Sequence, residues 1–351
     1  MIPDTIISPS DRILITGSNG FIGAKVVELL LEYGFTNLRC FVRPSSRLDR
    51  LKQILARVPG HQVQIVSGDL LSRDDCRKAA AGVAVIYHLA AGIEKSFAGA
   101  FMNSALATRN LMDAFIEHGQ PVRFVSVSSF AVYSNLHLKR GALLDESCPL
   151  ETASQERFDP YGFGKIKQEE LVKEYGEKRN LPYVLLRPGA VFGPGKRTLS
   201  GRVGIDTFGF FLHLGGSNRL PLTFVDNCAE AIVLAGLKPG VNGEVFNVVD
   251  DDLPTSRRFL GAYKSGVKSF FSLPVPYVVM SAFCRFWEWY SHWSGGQIPP
   301  VFNRRRCAAE WKGNRFSNQK LKDKLGWKPR VGMTDAMAAF LRQYQSPPAG
   351  G

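Results

Sequence analysis

Short apolar runs alternate with amphipathic stretches through the first half of the chain. The apolar runs are rich in β-branched and aromatic residues, and the stretches between them repeat their apolar positions with the period of a helix. In chain order the segments read RILITG, KVVELLLEYG, LRCFV, VQIVSG, AVIYHLA, ALATRNLMDAFIEHG, RFVSVSS, KIKQEELVKEYGEKRN and YVLLRPG. Buried strands joined by helices form a parallel sheet covered on both faces. We therefore expect an α/β fold with a doubly wound parallel sheet.

The alternation stops after Gly193. Gly-rich and Pro-rich segments follow, and one further helix and the strand GEVFNVV precede an irregular, aromatic and basic final third. We divide the chain into a sheet domain, a smaller discontinuous substrate-binding lobe over the carboxyl edge of the sheet, and a flexible tail. These parts are, in that order, residues 1–187 with 223–250, residues 188–222 with 251–345, and residues 346–351.

A glycine-rich turn connects the first predicted strand to the first predicted helix. Glycines in this position permit a tight turn, close approach of the backbone to a pyrophosphate, and close packing of the helix on the strand. The helix N-terminus adds amide donors and a favourable dipole. A structural turn without a ligand is the alternative interpretation. The residues that we expect to bind a dinucleotide here are Gly17, Ser18, Asn19, Gly20, Phe21, Ile22 and Gly23.

Tyr161 and Lys165 are four residues apart in a helical pattern, which places both side chains on one face of the helix. A phenol is a poor acid or base at neutral pH, but a nearby ammonium stabilises the phenolate and lowers the pKa of the phenol. Ser128 and Ser129 end an apolar strand at the carboxyl edge, where open α/β sheets hold their ligands. We expect one of them to hydrogen bond a reacting oxygen; a strand cap is the other interpretation.

The segment CFVRPSSR follows the second predicted strand, where the choice between the two nicotinamide cofactors is made. An acidic residue there would bind a ribose 2′-hydroxyl, whereas an arginine would bind a 2′-phosphate. Arg43 stands in this segment, no acidic residue occurs before Asp49, and Ser45, Ser46 and Arg47 add donors and charge. This pattern favours NADP(H) over NAD(H), although a solvated surface arginine would look the same in sequence.

The formal net charge is +13, and positive charge is densest between Arg304 and Arg330. Such a charge suits nucleic acid, an anionic membrane surface or a phosphorylated ligand. No zinc-finger, RNP or helix-turn-helix pattern occurs there, so we predict no nucleic-acid partner. A solvated basic face and a pocket for an anionic small-molecule substrate remain as interpretations. In the second of these, the run 304–306 would bind a phosphate bidentately.

The six cysteines lie far apart, with no CxxC pair and no Cys/His spacing typical of a metal site. This usage predicts free thiols, no metal and a reducing compartment. The N-terminus has no basic region leading into an apolar stretch, so we expect no secretory signal and a cytoplasmic protein.

An aromatic stretch, FFSLPVPYVVMSAFCRFWEWYSHW, occupies residues 270–293. Its uninterrupted apolar part falls short of the ~20 residues that a membrane-spanning helix needs. Three interpretations remain: burial in the core of the lobe, the lining of a hydrophobic pocket, and peripheral contact with a membrane surface.

The glycine spacing is GxxGxxG, and together with later motifs it resembles the extended short-chain dehydrogenase/reductase superfamily, of the NAD-dependent epimerase/dehydratase type, over most of the chain. The resemblance implies a Rossmann-type domain. It also implies that Asp69 and Leu70 of SGDL lie beside the adenine ring, although Asp69 alone would be read as a strand-end cap. The turn that would lie under the cofactor, similar to the family's HxAA, consists of His88, Leu89, Ala90 and Ala91.

The same resemblance distinguishes the two serines. In related sequences the catalytic Ser or Thr lies four residues before the Tyr of a VYG-like triplet, and counting back from Tyr133 gives Ser129. The resemblance thus implies that Ser129, Tyr161 and Lys165 are catalytic, with Ser128 in support. Tyr161 and Lys165 would also contact the cofactor, Lys165 through its ribose.

Two further segments bear on the cofactor. In LLRPGAVFGPG, the resemblance implies that Pro188 and Val191 lie against the nicotinamide. The helical Asn of the family's N-V-x-G-T-x-N-L pattern falls on Ser104, with Asn103 one residue early, and this departure puts the role of that Asn in doubt.

The later segments PLTFVDNCAEAIVLA, GEVFNVVDDD and KLKDKLGWKPR look most like 3β-hydroxysteroid and sterol-carboxylate dehydrogenases. This resemblance implies oxidation or reduction of a secondary alcohol or ketone on a bulky, hydrophobic substrate, and a homodimer. Nucleotide-sugar epimerases and dehydratases share the outline, but many carry an Asn after the RP pair, where Gly189 and Ala190 stand here. A non-enzymatic dinucleotide sensor is the third hypothesis, and the intact Ser/Tyr/Lys set argues against it.

Overall fold

Seven parallel strands form the central sheet of the computed structural model, which describes residues 4–92, 94–196, 199–207 and 209–345. In chain order the described strands are β1 (Ile13–Thr16), β2 (Leu38–Val42), β3 (Gln64–Ser67), β4 (Val85–His88), β5 (Arg123–Val127), β6 (Leu143–Leu144), β7 (Tyr183–Pro188), β8 (Ala190–Phe192), β9 (Gly204–Thr207), β10 (Phe210–His213), β11 (Leu222–Phe224), β12 (Val245–Val248), β13 (Ser272–Pro274) and β14 (Arg315–Phe316). The sheet order is β12-β7-β5-β4-β1-β2-β3, which confirms the predicted doubly wound fold.

Helices connect these strands and cover the sheet. They are α1 (Phe21–Glu32), α2 (Asp49–Leu55), α3 (Arg73–Ala80), α4 (Phe97–Ala100), α5 (Ala107–His118), α6 (Pro160–Arg179), α7 (Val225–Leu237), α8 (Ser256–Gly266), α9 (Tyr277–Trp293), α10 (Arg304–Trp311), α11 (Gln319–Leu325) and α12 (Met333–Gln345). A π-helical segment (Phe101–Leu106) joins α4 to α5, and a single 3₁₀ turn (Phe130–Val132) follows β5.

Each face of the sheet is buried by its own set of helices. Helices α1 and α7 pack together on one face, where Leu30 and Ile232 are fully buried. Helices α3, α5 and α6 cover the other face, with Leu111 and Val172 in its core. Burial on both faces explains why the strands are near-continuous apolar runs in sequence. Ligands of open α/β sheets covered in this way bind at the carboxyl edge of the strands.

The smaller lobe has hydrophobic cores of its own. In one of these cores, the rings of Phe192, Phe259 and Phe340 pack edge to face or stacked. These contacts join β8, α8 and α12. One difference from the predicted division concerns α11. Leu321 and Leu325 of this helix pack into the main core, as does Trp327, because an apolar groove beside α7 accepts them. The predicted tail, residues 346–351, lies outside the described residues.

Candidate active site

A cavity of about 290 Å³ opens at the carboxyl edge of the sheet, between the glycine turn and the ends of β2, β3 and β4. Nine of the predicted cofactor residues line it. They are Gly17, Asn19, Gly20, Arg43, Asp69, Leu70, Leu89, Ala90 and Ala91. Ser18 and Gly23 are buried behind the turn, and Phe21 and Ile22 are half-buried in the first turn of α1. The structure thus brings residues from four separate chain segments to one pocket.

The glycines of the turn are needed for two different reasons. Gly17 has a φ of +69°, a left-handed conformation that glycine adopts without strain. A Cβ atom at Gly23 would overlap the carbonyl oxygen of Gly17, so α1 can approach the turn this closely only with glycine there. The turn therefore exposes its backbone to the cavity at the N-terminal end of α1, where a phosphate binds well.

Asp69 caps the end of β3 and also lies on the wall of this cavity. Its Oδ1 accepts a hydrogen bond of 2.9 Å from the backbone N–H of Leu71, which is the strand-end cap. The residue also lines the cavity. Arg43 is exposed on the rim of the same cavity together with Ser46, whereas Arg47 contributes only a backbone carbonyl to Asn19.

A second cavity, of about 400 Å³, lies between the sheet domain and the lobe. Ser129 and Tyr161 both line it, and the Ser129 side chain is close enough to affect the pKa of Tyr161. Ser129 is the N-cap of the 3₁₀ turn, and its Oγ accepts from the Ala131 N–H at 3.2 Å. Tyr161 stands in the first turn of α6, which begins where Asp159 Oδ1 accepts from the Gly162 N–H. Two hydroxyls are therefore presented to any substrate in this cavity.

The Lys165 ammonium hydrogen bonds to two groups other than the Tyr161 hydroxyl in the described part of the chain. Its ammonium donates to the Val127 carbonyl oxygen at 2.6 Å and to Gln168 Oε1 at 2.9 Å. Burial raises the pKa of Tyr161, and the neighbouring Ser129 side chain opposes that shift. Burial also lowers the pKa of Lys165 to about 8, with Glu169 acting in the opposite direction. A main-chain carbonyl at the end of β5 and a side chain one turn further along α6 thus hold this ammonium.

A chain of buried hydrogen bonds links Lys165 to the cofactor turn. Gln168 Nε2 donates to Thr108 Oγ1 at 2.9 Å, and Thr108 contacts His88 Nε2 at 2.9 Å. His88 Nδ1 in turn contacts Thr16 Oγ1 at 2.8 Å. Burial and the nearby Lys165 lower the pKa of His88 to about 3, so the imidazole is neutral at physiological pH. Sequence reasoning missed Gln168 and Thr108 because nothing local marks them.

The remaining predicted residues lie around these cavities. Ser128 is buried, and its Oγ has no hydrogen-bond partner among the described residues. Pro188 and Val191 are buried in β7 and β8, while Gly189 and Ala190 line the substrate cavity between them. Asn103 lines the cofactor cavity, whereas Ser104 is buried. The π-helical segment that contains both adds one residue to the turn, which accounts for the early position of Asn103.

Charged side chains form much of the wall of the substrate cavity. Sequence reasoning had not proposed the following: Glu94, Arg157, Asp159, Arg202 and Glu310. The basic run 304–306, in contrast, is divided by the fold. Arg304 pairs with Glu288 at 2.8 Å and Arg305 with Glu151 at 3.0 Å, which leaves Arg306 on the cavity wall.

Comparison with known proteins identifies the family. The family model of the NAD dependent epimerase/dehydratase family matches residues 13–248. The chain belongs to this family. It is accordingly an enzyme of the extended short-chain dehydrogenase type that uses an NAD(P)-type dinucleotide, as the resemblance had implied. The residues fit that cofactor: the turn lacks Cβ atoms where phosphate would approach, and the buried Ser128 hydroxyl is free to bond it.

Relatives of two kinds are found. A 3-beta-hydroxysteroid dehydrogenase from Mycolicibacterium neoaurum is 27% identical, over 95% of this chain and 91% of the relative. The human sterol-4-alpha-carboxylate 3-dehydrogenase, decarboxylating, is 24% identical, over 95% and 88%. An uncharacterized UDP-glucose epimerase from Bacillus subtilis is 27% identical, over 68% of this chain and 76% of the relative.

Solved structures show the same fold. The UDP-glucuronic acid 4-epimerase from Bacillus cereus, in complex with UDP-glucuronic acid and NAD, aligns with a TM-score of 0.70 and 20% identity, over 95% of this chain and 99% of that chain. Within the part of this chain that the structure describes, no helix is both long enough and apolar enough to cross a membrane, and no cluster of His, Cys, Asp or Glu could hold a metal ion.

Proposed function

We propose that this enzyme interconverts a secondary alcohol and its ketone on a bulky, largely hydrophobic substrate that carries an acidic group. The observation that carries the proposal is that Ser129 and Tyr161 line the wall of the same 400 Å³ cavity. Ser129 polarises the substrate oxygen by donating a hydrogen bond, and Tyr161 exchanges the proton. The bound nicotinamide supplies or accepts the hydride. Lys165 holds the cofactor ribose beside them.

The cavity wall beside the hydroxyls supports a steroid-like substrate over a sugar. A Cβ atom at Gly189 would overlap the carbonyl oxygen of Pro221, so no side chain fits at this position. Ala190 contributes a methyl group, and Phe130 and Phe158 add aromatic surface. Among the described residues that line this cavity, no Asn or Gln side chain is available for the hydroxyl groups of a sugar. The steroid and sterol dehydrogenases also align over nearly the whole chain, including the lobe.

Arg202 and Arg306 support an acidic group on that substrate. Both line the cavity, and an arginine binds a carboxylate or phosphate with two parallel hydrogen bonds. The same two residues favour one second candidate, the epimerisation or dehydration of a nucleotide sugar, whose diphosphate they would bind. In that case Ser129 and Tyr161 would act in the same way, and the cofactor would end each cycle unchanged.

For the cofactor we propose NADP(H), bound in a cytoplasmic enzyme. Arg43 and Ser46 on the cavity rim are placed to bind a 2′-phosphate, since both line the cavity at the end of β2. All six cysteines are free and five of them are buried, which suits a reducing compartment.

The test is to incubate the purified protein with NADPH or NADP⁺ and separate panels of hydroxysteroids, ketosteroids, steroid carboxylates and UDP-sugars. Absorbance of the reduced nicotinamide reports net turnover, and product analysis detects conversion of a substrate without net turnover. Net turnover with a steroid carboxylate is the expected result. Conversion of a UDP-sugar without net turnover would replace the proposal by the second candidate. The same assay is applied to the variant Tyr161→Phe. Its matched control is Tyr175→Phe, because Tyr175 is on the same helix but donates to Asp113.

A further inference from the structure

Helix α9 presents a continuous apolar surface to solvent. We call this surface the α9 face; its members are Val278, Val279, Phe283, Phe286, Trp289 and Trp293. Val278 is 72% exposed and Trp293 70% exposed, values that are rare for residues of this type on a helix packed against a domain. Their spacing by three and four residues places them on one side of the helix. One interpretation of the sequence was burial of this stretch in the core of the lobe, and it is wrong for this side of α9.

The opposite side of α9 is anchored, so the exposure is a property of the folded surface. Met280 and Cys284 are buried against Cys307 and Trp311 of α10. Ser291 Oγ donates to the Ile298 carbonyl oxygen at 2.7 Å, which holds the end of the helix. Aromatic contacts also run along the exposed side, for example between Trp289 and Trp293, whose ring centroids are 6.2 Å apart. The α9 face is therefore a preformed surface of ordered rings.

Basic side chains lie beside this surface. Glu288, the acidic residue of α9, pairs with Arg304 at 2.8 Å. Arg285 is exposed and lies one helical turn before Trp289, at the margin of the α9 face. Lys268 is exposed three residues before Phe271, which lies just ahead of β13 and is itself 71% exposed. A partner that covers the α9 face therefore meets a basic margin.

We propose that the α9 face binds peripherally to the surface of an anionic phospholipid bilayer. Tryptophan and tyrosine favour the level of the headgroups, and an amphipathic helix with a basic margin lies there in the plane of the membrane. A second copy of this chain is disfavoured, because a two-fold interface would bring two basic rims together. The 17-residue helix lies on the bilayer and does not span it, since Arg285 and Glu288 interrupt its apolar residues.

The position of α9 gives this binding a use. Helix α10, against which α9 packs, also lines the substrate cavity through Arg306, Ala309 and Glu310. Binding through the α9 face would thus hold the cavity beside the lipid, where a hydrophobic substrate is concentrated. The inference does not rest on the proposed reaction, because lipid binding is measured without turnover.

The first experiment measures binding of the full chain to phosphatidylcholine vesicles with and without phosphatidylglycerol, by co-sedimentation. We expect binding to the anionic vesicles that is at least about tenfold tighter and that weakens with salt. Tryptophan emission should shift to the blue on binding, because Trp289 and Trp293 are exposed while Trp311 and Trp327 are already buried. Quenching by brominated lipid would place the rings among the headgroups and upper acyl chains.

Two pairs of variants test the surface itself. Trp289→Ser combined with Trp293→Ser should weaken binding by roughly tenfold or more, whereas Leu143→Ser, at an exposed apolar residue on β6, should not. Arg285→Glu should weaken it, whereas Lys52→Glu, which changes the net charge equally from exposed α2, should have little effect. The second pair retains all the aromatic side chains, so it remains informative if the tryptophan variant does not fold.

Three results would overturn the proposal. One is equal or absent binding to both kinds of vesicle. Another is concentration-dependent self-association that the tryptophan variant abolishes, which would make the α9 face a contact between copies of this chain. The third is a salt-sensitive affinity for DNA or RNA that exceeds the affinity for vesicles and is lost in Arg285→Glu.

Discussion

Replacing Lys165 by methionine tests the electrostatics of the candidate site without a known substrate. Lys165 is 2% exposed, and burial lowers its pKa from 10.5 to about 8. One pKa unit corresponds to about 1.4 kcal/mol. Keeping this ammonium charged therefore destabilises the folded protein by about 3 kcal/mol. Methionine removes the charge and keeps most of the apolar stem.

The sign of the pH dependence follows from the two pKa values. Between pH 8 and pH 10.5 the unfolded chain binds a proton at this position that the folded chain has released. Stability therefore rises with pH through this window, by about 3 kcal/mol from Lys165 alone. Lys165→Met lacks that rise. At neutral pH the variant gains stability because no buried charge remains. The loss of the hydrogen bonds to Val127 and Gln168, about 1 kcal/mol each, partly offsets that gain.

The assay is urea unfolding, followed by tryptophan fluorescence and far-UV circular dichroism, at neutral pH and above pH 10.5. The free energy of unfolding of Lys165→Met, relative to the unmodified protein, should fall by about 3 kcal/mol between the two conditions. Lys167→Met is the control on the same helix: Lys167 is exposed and pairs with Glu170, so its relative stability should change by less than about 0.5 kcal/mol. Equal pH dependence in both variants would refute the reasoning.

Three other substitutions address separate parts of the site. Tyr161→Phe should leave folding intact and lower turnover by roughly 10²- to 10⁴-fold, and near-normal turnover would show that another group exchanges the proton. Arg43→Asp should raise the Kd of NADPH, measured by fluorescence titration, far more than that of NADH; equal changes would make Arg43 a surface charge. Glu169→Gln strips the buried Arg187 of its 2.6 Å partner and should cost about 3–5 kcal/mol in urea unfolding, whereas a loss below about 1 kcal/mol would contradict this.

The features predicted correctly are those that depend on local periodicity. A strand buried on both faces must be apolar throughout, and a helix that covers it must be amphipathic. The spacing of apolar residues therefore predicts the doubly wound sheet. The glycine turn could be recognised for a similar reason. Its function requires missing side chains, and the absence of Cβ atoms at Gly17 and Gly23 is visible in the residue letters themselves.

Side-chain partners from distant segments could not be predicted in this way. The spacing of Tyr161 and Lys165 places them on one helix face, but spacing does not show that the Lys165 ammonium donates to the Val127 carbonyl oxygen, at the end of the distant strand β5, as well as to Gln168 on its own helix. The run 304–306 is uniform in sequence. Only the acids that other segments bring near it, such as Glu288, decide that Arg304 is paired while Arg306 lines the cavity.

The same division holds for the C-terminal third. Its aromatic residues were evident from composition, but the same apolar residues can form a buried or an exposed helix. The packing of α10 against one side of α9 decided which rings remain in solvent. Likewise, α11 returns to the main core because a groove beside α7 accepts Leu321 and Leu325. Local sequence determined which elements form, since periodicity is a property of neighbouring residues. Tertiary structure alone decided which charges meet and which surfaces stay uncovered, because those depend on contacts between residues far apart in the chain.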